Sequence, residues 1–74
     1  MTIQEKIRIL LVRRGNISEA ELARRLGKSP QNFHRKMKDG TFSNDDLENI
    51  ASVLDCSVTH TETVFKMNDT GEEI

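Results

Sequence analysis

Residues Leu22–Gly40 read LARRLGKSPQNFHRKMKDG. The stretch gathers six Lys or Arg and a single acid, Asp39, around a Gly27-Lys28-Ser29-Pro30 turn, although the whole 74-residue chain carries a formal net charge of only −1. Both sides of the turn have helical grammar. Leu22, Ala23 and Leu26 form an apolar stripe that Gly27 ends, and Ser18 followed by Glu21 reads as a capping box at its start. Ser29 is suited to cap the next helix with its side-chain oxygen. Pro30 suits the first helical position, where a missing N–H costs nothing. Phe33 and Met37 mark the inner face of that helix, and Asp39-Gly40 its end. Ala23 is small enough for a second helix to cross closely, and Gly27 supplies a turn conformation open to residues without a side chain. Two short helices joined in this way predict a helix-turn-helix.

With Phe33 and Met37 held inward, the outward face of the helix at 30–38 follows from its pitch. At about 100° per residue, Phe33 at 0° puts Met37 near about 40°, Lys38 near about 140°, Gln31 near about 160° and Arg35 near about 200°. Asn32 and Lys36 flank one side, His34 the other. Amide, guanidinium and ammonium groups on one face suit the DNA major groove, where Arg forks onto guanine and Gln or Asn onto adenine. Gln31, Asn32 and Arg35 are the expected base readers. Arg24, Arg25, Lys28, Ser29, His34, Lys36 and Lys38 are the expected phosphate contacts, which set affinity rather than sequence preference. Arg24 and Arg25 are equally placed to pair with Glu21 on the surface, where such pairs are weak.

Working outward, Ile3, Ile7, Leu10 and Leu11 recur at one-face helical spacing. Thr2 with Glu5 caps that helix and Gly15 stops it, so it covers residues 3–14. Ser43 or Asn44 starts a further helix, with Asp45 and Asp46 at the positive end of its dipole and Leu47, Ile50, Ala51 and Leu54 on one face. Residues 58–67 are rich in Thr and Val and contain no Gly or Pro, which predicts one strand. Residues 68–74 read as a flexible tail. A lone strand needs partners for its backbone N–H and C=O groups. A two-fold ladder with a second copy is the preferred solution over pairing with the N-terminus or a loose tail. The dimer interface is then expected at Val58, His60, Glu62, Val64 and Phe65. The expected organisation is a helix-turn-helix domain over 1–56, a dimerisation arm over 57–67 and a tail over 68–74.

The totals set limits. The chain fits one small domain whose core stabilises it by only a few kcal/mol. The single cysteine, Cys56, cannot form an internal disulfide and is read as a small packed residue. No apolar run spans a bilayer and no signal-like start is present, so a cytoplasmic setting is expected. Residues 1–38 carry ten Lys/Arg against three Asp/Glu, a net +7, and residues 39–74 carry one against nine, a net −8. The basic half suits a polyanion. No enzyme signature is found: Gly27-Lys28-Ser29 lacks the upstream glycine of a phosphate loop, and one Cys with two His supports neither a catalytic set nor zinc spacing. No metal or cofactor is expected.

The run from Ser18 to Phe33, SEAELARRLGKSPQNF, resembles the helix-turn-helix of the Cro and phage-repressor family, and the resemblance extends over residues 2–55. It implies a mainly α fold, a four-to-five-helix repressor-like bundle whose second and third helices bind DNA. The C-terminal strand is similar to the one that builds the dimer in the Cro subgroup. Members are usually bacterial or phage transcriptional regulators, so the resemblance implies a homodimeric repressor on double-stranded DNA with a two-fold operator. Glu19 departs from the family pattern: many relatives carry a Gln there that grips a phosphate. The alternative reading is a protein-interaction module, antitoxin-like or anti-repressor, to which the acidic half and a free strand edge would be suited.

Overall fold

Every helix of the chain starts at a hydroxyl. Thr2, Ser18, Ser29 and Ser43 each sit in extended backbone and accept the N–H of the residue three further on. In the computed structural model, which describes residues 1–74, these caps open α1 (Ile3–Arg13), α2 (Glu19–Arg25), α3 (Pro30–Asp39) and α4 (Asn44–Val53). The Thr2–Glu5 box is complete, and so is a Ser43–Asp46 box on α4. The Ser18–Glu21 box is half formed: Ser18 accepts from Glu21 N–H, but the Glu21 carboxylate turns instead to Arg24 and Arg25. Gly40, at φ 70, ends α3.

The helices meet around an interior with no polar side chain. Ile7, Leu10 and Leu11 of α1, Leu22 and Ala23 of α2, Phe33 and Met37 of α3, and Leu47, Ile50 and Ala51 of α4 are buried together. No helix is long and apolar enough to cross a membrane.

The C-terminal region corrects the single-strand reading. Two strands, β1 (Cys56–Thr59) and β2 (Val64–Met67), pair antiparallel with Cys56 opposite Met67 and Val58 opposite Phe65. The turn between them contains no glycine, and Thr63 takes a positive φ of 51° that glycine more often supplies. The missing turn signature made the two strands look like one.

Residues 68–74 are likewise built in. A turn through Gly71, with its N–H donating to Met67 C=O at 2.8 Å, returns the chain along β2. Phe65 and Ile74 then exchange both backbone hydrogen bonds, at 3.0 and 2.8 Å. Arg13 pairs with Glu72. Arg14 donates to the C=O groups of Leu54 and Asp55 at 2.8 and 2.9 Å and to the Asp69 carboxylate at 2.9 Å. One guanidinium thus closes the C-terminal end of α4, where orphan carbonyls need donors, and ties the last turn to it.

Phe65 therefore does not lie in an exposed interface. It is fully buried in the protomer core with Cys56 and Met67. Phe65→Ala should cost about 3–5 kcal/mol, independent of protein concentration in urea unfolding; a cost that vanishes on dilution would return Phe65 to an intermolecular contact. The tail contact is pH-linked. The Arg14 guanidinium holds the Asp69 carboxyl below its ordinary range. That contribution is complete above the unfolded carboxylate range and is lost as pH falls through the lowered value. Asp69→Asn should lower the thermal midpoint at neutral pH, and the gap to the parent should close as pH is taken towards about 2.

Candidate nucleic-acid interface

The turn that joins α2 to α3 is fixed by backbone hydrogen bonds. Lys28 N–H reaches Ala23 C=O at 2.9 Å and Gly27 N–H reaches Arg24 C=O at 3.0 Å, with Gly27 at φ 72. This pair of bonds is the Schellman arrangement, and it requires the left-handed backbone that glycine accepts freely. One residue later the Ser29 hydroxyl accepts Asn32 N–H at 3.2 Å, and Pro30 opens α3. Stop and start are thus separated only by Lys28. Phe33 and Met37 anchor the inner face of α3, with the Phe42 ring edge-on to Phe33 at 6.2 Å.

The outward face is as the helical pitch requires. Gln31, Asn32, His34, Arg35 and Lys38 are exposed, and none of their side chains is hydrogen-bonded or ion-paired within the chain. The three expected base readers, Gln31, Asn32 and Arg35, lie within the first six residues of one ten-residue helix, with unpartnered polar groups. Lys28 is half-buried beside the turn.

The other expected phosphate contacts divide. Arg24 and Arg25 both pair with Glu21, and together they hold its carboxyl below the ordinary range. These are exposed pairs, screened by water and weak, so both guanidiniums can exchange Glu21 for a phosphate. Ser29 accepts a hydrogen bond as the cap, which leaves its O–H free to donate. Lys36 stands apart. Its ammonium is 2.7 Å from the Asp46 carboxylate of α4, and the pair is partly buried. Glu19, at the start of α2, has a buried carboxylate oxygen with no partner.

The expected dimer residues do not form one uniform exposed surface. Val58 and Val64 are half-buried on the two strands, Glu62 is exposed in the turn, and Phe65 is in the core. His60 is half-buried and its Nε2 lies 2.7 Å from Glu48 of α4. Which edge of the sheet is open can be read from the backbone. Phe65 gives both of its polar groups to Ile74, so Val58 opposite it exchanges none with β2. The Val58 N–H and C=O point away from the sheet. The edge of β2 is filled by the tail, and that of β1 is not.

A family model described as a Cro/C1-type HTH DNA-binding domain matches residues 6–59. The chain belongs to that family. The match covers all of α2, α3 and α4, most of α1, and β1. No curated protein and no solved structure matches the chain. As a Cro/C1-type domain it is a DNA-binding regulator.

The Ser29 cap gives this interface a direct handle. Ser29→Ala should cost about 1 kcal/mol in urea unfolding and weaken duplex binding through fraying at the end of α3 that carries Gln31 and Asn32. Ser29→Asp should keep the cap and the stability while weakening duplex binding by adding a negative charge there.

Proposed function

We propose that the protein is a sequence-specific repressor that binds operator DNA as a homodimer, with α3 of each protomer in a major groove. One observation carries the reading: Gln31, Asn32 and Arg35 are exposed and uncommitted on a helix whose opposite face is buried in the core through Phe33 and Met37. A rigid helix presenting an uncommitted guanidinium and two amides has what base-edge recognition needs. Arg35 forks onto the O6 and N7 of a guanine, and Gln31 or Asn32 onto the N6 and N7 of an adenine. Lys28, His34 and Lys38 meet phosphates, joined by Arg24 and Arg25 when they leave Glu21. Repression follows from occupancy, since a protein seated in the groove blocks whatever else must bind there.

The open edge of β1 supports the homodimer. Two copies pairing antiparallel through Val58 would satisfy the outward N–H and C=O groups of both. The two α3 helices would then meet half-sites about 34 Å apart, one helical turn of DNA. The same open edge and the acidic second half are what favour the second reading, in which a different protein adds a strand there.

Arg35→Ala should cost about 1–3 kcal/mol on a preferred duplex and relax discrimination at one base pair. The measurement is an anisotropy titration against duplexes changed one pair at a time. An equal loss on all duplexes would make Arg35 a phosphate contact.

A further inference from the structure

The one cation on α3 that is already engaged is Lys36. Its Nζ donates to Asp46 Oδ2 at 2.7 Å, and the same oxygen accepts the Ser43 backbone N–H at 3.0 Å. Asp46 N–H in turn donates to the Ser43 hydroxyl at 3.1 Å. The carboxylate is therefore not a mobile surface acid. It is part of the capping box of α4 and is held from two sides. The side chains of Lys36 and Asp46 are 33% and 13% exposed, against 69% and 45% for the Arg24 and Arg25 side chains that pair with Glu21. Water screens the Lys36 pair less than the others.

The position of the pair gives it a specific task. Phe33 and Met37 are four residues apart, nearly one above the other on the helix, so they hold α3 down but constrain its rotation about its own axis weakly. Beside Phe33 lies a cleft whose lining includes Leu26, Phe42 and Ile50 together with Lys36 and Asp46. Lys36 lies on the flank of α3, between the buried stripe and the outward face. Side chains reach about 5–6 Å from a helix axis, so a roll of about 20° would move a base-reading group by about 2 Å. Recognition geometry tolerates roughly 0.5 Å.

We propose that the Lys36–Asp46 pair is a strut that fixes the roll of α3, which makes Asp46 a positioning residue for base reading and takes Lys36 out of the phosphate contacts. This rests on the reading of α3 as the base-reading helix. Burial works against ionisation of Asp46, but the Lys36 ammonium and the Ser43 N–H outweigh it and keep the carboxyl below its ordinary range. The carboxylate that the strut requires thus persists through neutral pH.

The test uses the full chain, its Lys36→Met variant and its Asp46→Asn variant, which keeps an oxygen for the Ser43 cap. Each is titrated with a preferred duplex and with single-pair variants of it over a range of salt. The strut predicts that Lys36→Met leaves the slope of log affinity against log salt unchanged and cuts discrimination between duplexes about fivefold or more. Asp46→Asn, which removes the counter-charge, should cut discrimination in the same way, and the Lys36 ammonium, no longer neutralised, should raise binding to unrelated duplexes. A slope reduced by about 1 with discrimination intact would make Lys36 an ordinary phosphate contact and overturn the proposal. Carboxyl titration by NMR without DNA gives an independent check. Asp46 should titrate at lower pH in the parent than in Lys36→Met, and identical titration would mean that the pair is not made. If the parent itself fails to discriminate duplexes, the functional reading falls; if parent and variants discriminate equally, the strut alone falls.

Discussion

The structure depends on the burial of one side of α3. Phe33 and Met37 are removed from water almost completely, at 1% and 2% exposure, and each contributes of the order of 2 kcal/mol by that burial. Turning the helix over would expose both and bury Gln31, Arg35 and Lys38 with nothing to pair them, at a cost of several kcal/mol for the charges alone. The polar face must therefore look outward. Function follows from the same asymmetry that folds the chain: the side chains that cannot be buried are those available to a polyanion.

Everything around α3 serves that orientation. The Gly27 turn and the Ser29 cap fix where the helix starts, and Gly40 fixes where it ends. α4 supplies Ile50 to the floor and Asp46 to the flank. The C-terminal hairpin closes the far side with Cys56, Phe65 and Met67. A chain this short has little apolar surface to bury, and four helices of at most 11 residues do not finish the core by themselves. Two residues of the arm expected to serve a second subunit, Phe65 and Met67, are thus buried in the first.

The sequence was legible wherever local chemistry decided the outcome. The hydroxyl caps, the stopping glycines and the i, i+3, i+4 stripes placed all four helices to within one or two residues, and the pitch of α3 placed Gln31 and Arg35 outward. It was illegible where tertiary contacts decided. The hairpin turn is held by contacts from elsewhere: Lys6 donates to Thr63 C=O at 2.6 Å, and His60 meets Glu48. A turn stabilised in that way needs no glycine, so nothing in the sequence divided the strand. The tail did carry a signal. Asn68-Asp69-Thr70-Gly71 is turn-forming chemistry, and Ile74 beyond it is an apolar residue with a place in the fold. The partner of Lys36 lies ten residues away on another helix, and periodicity on α3 alone could not supply it.

The opposed charges of the two halves fit the proposed function: basic groups around the turn suit a duplex, and acids on the second half would discourage contact by the rest of the surface. The central claim is that α3 reads bases and does not merely attract phosphates. Selection from a pool of randomised duplex DNA at near-physiological salt tests it most directly. The account predicts enrichment of a two-fold sequence whose half-sites are centred about one helical turn apart. A pool that stays random, with only salt-sensitive binding to any duplex, would contradict it.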